Sequence, residues 1–263
     1  MSINTLRSQH PTLIAFKTLV IKEVIRFTRI WTQTLLPPAI TMALYFIIFG
    51  KLIGSQIRHI QGFTYIQYIV PGLVMMSIIT NAYANTVSSF FFTKFNRSID
   101  EMIVSPMPNF VILLGFTLGG ALRGLLVGIM VTMIALLFTH LQIYSVTIVL
   151  LITILSAMVF SIGGFINAIY AKRFDDISFV PTFILTPLTY LGGVFYSIQQ
   201  LPPFWRHLSM CNPILVIVNT FRYGLLGITD LNVYIGLIFT TGLFLVLLIW
   251  AWVLLRKGVG IKT

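Results

Sequence analysis

Val146–Tyr170 reads VTIVLLITILSAMVFSIGGFINAIY and contains no Asp, Glu, Lys or Arg. A helix needs roughly 20 apolar residues to cross a hydrocarbon core about 30 Å thick. In lipid the backbone must satisfy its own hydrogen bonds, and an unbroken apolar run of this length does so as a helix. Similar runs on both sides predict spans at about 33–53, 66–92, 110–138, 146–170, 179–196 and 233–255. The fifth is marginal, being short and carrying Pro181 and Pro187. The fold class implied is an all-α membrane protein with six transmembrane helices.

Composition points the same way. Hydrophobic residues make up 57% of the chain and charged residues 9%, whereas a soluble domain carries about 25% charged residues. The net charge of +11 sits between and beside the apolar runs, with no basic-aromatic stripe. That distribution suits membrane lipids as partners and excludes a nucleic-acid role. A single cysteine, Cys211, permits no intramolecular disulfide, and His10, His59, His140 and His207 show no metal-ligand spacing. No metal or other cofactor is expected.

Residues 1–32 form a cytoplasmic N-terminus with an interfacial helix. From Leu13 to Trp31, Phe16, Val20, Val24, Phe27 and Trp31 share one face, and Lys22, Arg26 and Arg29 share the opposite one. Basic residues opposed to an apolar stripe suit a helix lying among anionic headgroups. No cleavable signal peptide is visible, so the first span is expected to stay as an anchor. Residues 197–220 hold Pro202, Pro203, Asn212 and Pro213, and the short apolar piece Pro213–Phe221 runs up to Arg222. A piece that short suits a re-entrant or interfacial segment on the outer side. Residues 33–255 then make up the transmembrane domain and 256–263 a cytoplasmic tail.

Orientation follows from lysine and arginine. With both termini inside, the inner segments carry Arg7, Lys17, Lys22, Arg26, Arg29, Lys94, Arg97, Lys172, Arg173, Arg256, Lys257 and Lys262. The outer ones carry only Lys51, Arg58, Arg206 and Arg222, and Arg123 lies within a span. Both ends are expected in the cytoplasm.

No catalytic constellation is present. Gly50-Lys51 is followed by Leu52 and lacks the upstream glycine of a phosphate-binding loop. All six acids (Glu23, Asp100, Glu101, Asp175, Asp176 and Asp230) fall outside the predicted spans, which argues against proton or sodium coupling. Uphill transport would therefore take its energy from a separate protein.

Three features are candidates for function. The inner loop 93–109, TKFNRSIDEMIVSPMPN, places Phe95, Ile99, Met102 and Ile103 on one helical face, ended by Pro106 and Pro108. It reads either as a handle for a soluble motor or as a loop helix resting on headgroups. In the second span Ser77, Asn81, Asn85 and Ser88 line one face, with Thr80 and Ser89 flanking. This stripe is either helix–helix glue or a translocation path or dimer seam. Arg123 stands beside Gly115, Gly119, Gly120 and Gly124, whose spacing suits close helix contact. It either snorkels to the inner headgroups or meets an anionic substrate.

The runs Leu191-Gly192-Gly193-Val194-Phe195-Tyr196, Leu201-Pro202-Pro203-Phe204-Trp205, Asn212-Pro213-Ile214 and Phe221-Arg222-Tyr223-Gly224 together resemble the C-terminal signature of the ABC-2 exporter permeases, and of their YadH-like branch in Gram-negative bacteria. The likeness spans nearly the whole chain. It implies a non-enzymatic subunit of the bacterial inner membrane, a homodimer bound to two copies of an ABC ATPase that carries the ATP. It implies that Phe95, Asn96, Arg97, Ile99, Asp100, Glu101, Met102, Ser105 and Pro106 form a coupling helix. It also implies outward re-entrant helices through Pro202, Pro203, Asn212, Pro213, Phe221 and Arg222. The cargo expected is lipid-linked, glycan or hydrophobic. An ATP-independent channel or lipid scramblase is the alternative.

Overall fold

A computed structural model describes residues 11–54, 56, 59–105 and 107–260. Pro106 of the inner loop, and Arg7, Arg58 and Lys262 of the charge count, lie outside the described residues. The described chain is helical: α1 (Pro11–Arg29), α2 (Trp31–Tyr45), α3 (Tyr65–Phe95), α4 (Ser98–Val104), α5 (Asn109–Leu136), α6 (Val146–Tyr170), α7 (Phe174–Val180), α8 (Thr186–Tyr190), α9 (Pro203–Met210), α10 (Pro213–Leu226) and α11 (Val233–Lys257). A π-helical stretch, Phe46–Ile53, prolongs α2. An isolated bridge between Ile60 and Phe63 is the one β-type pairing among the described residues.

Among the described residues five helices are long and apolar enough to cross a membrane: Trp31–Gly50, Tyr65–Phe95, Asn109–Leu136, Val146–Tyr170 and Val233–Lys257. The expected segment at 179–196 differs. Helix α7, a π-helical turn at Pro181–Leu185 and α8 follow one another over residues 174–190. At about 1.5 Å per residue this rises ~25 Å, short of a core of roughly 30 Å. Pro181 and Pro187 each lack a backbone N–H, which loosens the helix locally. The chain leaves helix after Tyr190 and passes through Gly193, whose φ of +66° favours glycine.

Helix α3 is the buried centre, enclosed by α5, α6 and α10. Its close neighbours are admitted by the α5 glycines. A Cβ on Gly124 would stand 2.8 Å from both the Ala82 methyl and the Ile78 carbonyl of α3. One on Gly120 would strike Thr86 Oγ1 and lie 2.5 Å from Ser161 Oγ on α6. Those two hydroxyls are hydrogen-bonded at 2.6 Å, and Ser161 also donates to the Thr117 carbonyl at 2.6 Å. Small residues here let three backbones meet around a satisfied polar joint.

Helix α1 is seated on α5 by the other two glycines. Gly115 receives Leu19, and a Cβ on Gly119 would lie 2.5 Å from Glu23 Cβ. The buried side of α1 is therefore Leu19, Glu23 and Phe27, while Trp31 is exposed. This corrects the stripe expected from periodicity alone. The residues deciding the orientation of α1 are glycines of α5, and it is their lack of side chains, nearly a hundred residues further along the chain, that seats Leu19 and Glu23.

Candidate functional site

Where α1, α3 and α5 meet, ionisable groups are drawn out of water. Glu23 is fully buried, and its carboxylate accepts from Ser89 Oγ at 2.7 and 2.8 Å and from Arg26 Nη2 at 3.1 Å. The same Arg26 nitrogen donates to Asn85 Oδ1 at 2.8 Å and to the Asn85 carbonyl at 3.3 Å. Arg123 Nη1 reaches that Oδ1 from the far side, at 3.4 Å. Asn85 is thus the shared acceptor of two guanidinium groups, of which Arg26 also meets the Glu23 carboxylate. A cleft of about 490 Å³ opens beside the pair, lined among others by Lys22, Ser88, Phe92, Asn96 and Ser98.

The four-residue polar stripe of α3 separates into two kinds of residue. Ser77, Asn81 and Ser88 bond back to carbonyls one turn earlier, on Leu73, Ser77 and Ala84. Such bonds satisfy the side chain within its own helix. Only Asn85 carries the stripe outward, and it is the member that meets Arg123. Arg26 turns inward with it, away from the headgroup-facing position its helical phase implies.

The inner loop is not one helix. Helix α3 ends at Phe95, Asn96 caps it, and Arg97 turns the chain with φ of +57° before α4 starts at Ser98. Phe95 therefore shares no helical face with Ile99 and Met102. Its ring lies 4.9 Å from that of Phe174. Ile99 is buried and Met102 packs against the same core, leaving Ile103 and Val104 exposed with Asp100 and Glu101. Ser105 Oγ donates to the Met102 carbonyl at 2.7 Å and ends the turn. Lys94 is an anchor: its Nζ donates to the carbonyls of Ile169 and Ala171, both at 2.7 Å, at the C-terminal end of α6. At the start of α7, the backbone N–H groups of Lys172 and Arg173 hold the Asp176 carboxyl below the usual carboxylate range.

At the opposite end of α3, Arg222 is fully buried, not a solvated outer charge. The reason is that α10 continues beyond Phe221 to Leu226 and packs on α3, α6 and α11. The Arg222 guanidinium sits 4.0 Å over the Tyr68 ring and donates to the Gly193 carbonyl at 2.7 Å and the Tyr68 carbonyl at 3.3 Å. Next to it Asp230 accepts from Ser197 Oγ at 2.9 Å, the Ile198 N–H at 3.2 Å and Gln61 Nε2 at 2.9 Å. Asn212 caps α10, accepting from the Ile214 N–H at 2.9 Å, with Pro213 at the first helical position. Pro202 and Pro203 open α9, which stands exposed.

Residues 14–226 match the ABC-2 type transporter family. The chain belongs to that family. It is 53% identical over 258 residues to the inner membrane transport permease YadH of Escherichia coli (strain K12), covering 97% of this chain and 99% of that protein. Nodulation protein J of Rhizobium meliloti (strain 1021) is 22% identical over 190 residues, covering 71% of this chain and 72% of that one. Nodulation protein J of Rhizobium leguminosarum bv. viciae is 20% identical over 192 residues, covering 72% and 74%. This is a membrane transport permease of ABC-2 type and a non-catalytic membrane subunit.

Within this ABC-2 permease, sequence reasoning did not bring Glu23, Tyr68 or Asp230 to a site, and it placed Ser89 only at the flank of the α3 stripe. One signal for Glu23 was present: it is the lone acid of a basic helix, four residues from both Leu19 and Phe27. Asp230 and Tyr68 gave none, since their partners come from the loops around Gln61 and Ser197 and from α10.

Proposed function

We propose that this ABC-2 permease is the membrane half of an exporter that moves a lipid-linked, glycan or hydrophobic substrate out across the bacterial inner membrane. ATP is hydrolysed by a separate ABC ATPase, present in two copies beneath a permease homodimer. In this reading a sixth crossing lies at about residues 179–196, residues 197–220 form the outward re-entrant segment, and both termini lie in the cytoplasm. The chain carries no phosphate-binding loop, so the energy of hydrolysis reaches it as a mechanical push at a protein contact.

The observation that carries this reading is the cleft between α1 and the α3–α4 junction. Its wall joins Asn96 and Ser98, at the foot of α4, to Glu23 and Arg26 of the buried ion cluster. A displacement of α4 therefore acts on charged hydrogen bonds whose alternatives in lipid are expensive. The exposed Ile103 and Val104, rimmed by Asp100 and Glu101, offer apolar anchors to a groove on the ATPase, and anchors of this kind dominate binding energy.

The test is co-purification of the tagged permease with the ABC ATPase of its own cell, followed by transport in inverted vesicles. The expected result is a complex of two permeases and two ATPases whose transport stops when ATP is withheld. Conduction or lipid scrambling by the permease alone, unaffected by the ATPase, would replace this reading with a channel or scramblase.

A further inference from the structure

The ion cluster between α1, α3 and α5 is unbalanced in two respects. Its charges are two guanidinium groups, Arg26 and Arg123, against the single carboxylate of Glu23. Three of its buried nitrogens have no hydrogen-bond partner: Arg26 Nε, Arg123 Nε and Asn85 Nδ2. All three are donors. Asn85 is fully buried, and its Oδ1 is already shared by both arginines, so nothing local accepts from its amide. A buried unpaired donor is costly, more so beside a charge, and three in one place call for an acceptor with several lone pairs. The cleft opens onto Arg26 and Glu23, with Lys22 exposed on its wall as a third cation, and Asn85 and Arg123 stand behind Arg26.

We propose that this junction binds a phosphate oxyanion, held by Arg26, Asn85 and Arg123 and admitted past Lys22. A tetrahedral phosphate offers oxygens to donors converging from three helices, and guanidinium groups match it with forked hydrogen bonds. A planar carboxylate has two oxygens, and Glu23 already fills that role for Ser89 and Arg26. Arg123 stands midway along α5, and the entry is placed by the cleft, whose lining includes Asn96 and Ser98 of the inner loop. The phosphate belongs either to the headgroup of a lipid or lipid-linked cargo, or to free phosphate. The inference uses the exporter reading only to give the site its part in transport, because binding itself needs no ATPase.

The experiment measures binding calorimetrically on the full chain in phosphate-free dodecyl maltoside micelles, with dihexanoyl phosphatidic acid, inorganic phosphate and hexanoate as probes. Saturable binding of the phosphatidic acid is expected, weakened at least tenfold by Arg123→Gln and by Arg26→Gln, with hexanoate at least tenfold weaker. Binding of the lipid without inorganic phosphate would assign the site to a headgroup, and competition between the two would assign it to phosphate from either source. Thermal unfolding of each variant reports whether the fold survives. Should Arg123→Gln fail to fold, Arg123→Lys keeps the charge without the fork and should bind more weakly than the native chain. Absence of saturable binding, equal binding of hexanoate, or unchanged affinity in folded Arg123→Gln would overturn the site. A chain that captures its ATPase yet binds no phosphate fails here alone. One that binds phosphate but captures no ATPase keeps the site and loses the exporter reading.

Discussion

Replacing Arg222 by methionine should unlock the end of the bundle opposite α4, and the structure sets how strongly. The side chain has one short charged hydrogen bond, 2.7 Å to the Gly193 carbonyl. Its contacts to the Tyr68 carbonyl and Asn219 Oδ1, at 3.3 and 3.5 Å, are near the limit of useful geometry. A hydrogen bond to a charged group contributes about 1.5–3 kcal/mol. The stacking on Tyr68 at 4.0 Å is desolvated and adds about 2 kcal/mol. Against this stands the relief of no longer burying a cation, so Arg222→Met should cost about 3 kcal/mol, less than the gross sum.

A double-mutant cycle with Tyr68→Leu isolates the ring contact from the packing each substitution also loses. The assay is equilibrium unfolding in dodecyl maltoside–sodium dodecyl sulfate micelles, followed by far-ultraviolet circular dichroism. The coupling energy should be about 2 kcal/mol. Limited proteolysis should show faster cleavage between Leu191 and Pro202 in Arg222→Met, because Gly193 loses its tether. A coupling below about 0.5 kcal/mol, the ordinary error of additivity, would refute the clamp and leave Arg222 as a buried charge tolerated for another reason.

Gly120→Val should destabilise the bundle by about 1–3 kcal/mol through overpacking, because its Cβ runs into Thr86 and Ser161. Gly242→Ala, which meets nothing within 4 Å, should be neutral or stabilising by up to about 1 kcal/mol, as read by the same unfolding assay. In α4, Val104 is 87% exposed and Ile99 only 2%. The pair Ile103→Ala with Val104→Ala should therefore weaken ATPase capture about tenfold or more at native stability, whereas Ile99→Ala should lower stability first, and the opposite ranking would remove α4 as the contact. A reporter fused after Thr263 should read cytoplasm and one inserted at Gln56 should read exterior, and a cytoplasmic signal at Gln56 would break the topology.

What the sequence made legible and what it hid divide along one physical line. A span needs only length and apolarity, both local, so α3, α5, α6 and α11 stand within about three residues of their expected limits. The segment after Phe174 was harder because Pro181 and Pro187 act on hydrogen bonds whose loss depends on what π-turn the chain adopts. Arg97 gave no warning of its left-handed turn, which a non-glycine residue seldom takes, so the inner loop read as one helix with one apolar face. The partners of Glu23, Asn85, Arg123 and Arg222 were beyond reach for a different reason. A polar group in a lipid-facing chain must be satisfied, so its presence announces that a partner exists. The identity of the partner is fixed by which backbones approach closely. For Glu23 that is decided by Gly119, for the Thr86–Ser161 joint by Gly120, and for Arg222 by the return of α10 against Tyr68. The glycines of α5 were visible as a close-contact surface, but a glycine specifies only that something comes near. Which helix fills each gap is a property of the assembled bundle, and that choice brings Arg123 of α5 to the Asn85 amide already held by Arg26 of α1, a partner the chain order keeps far away.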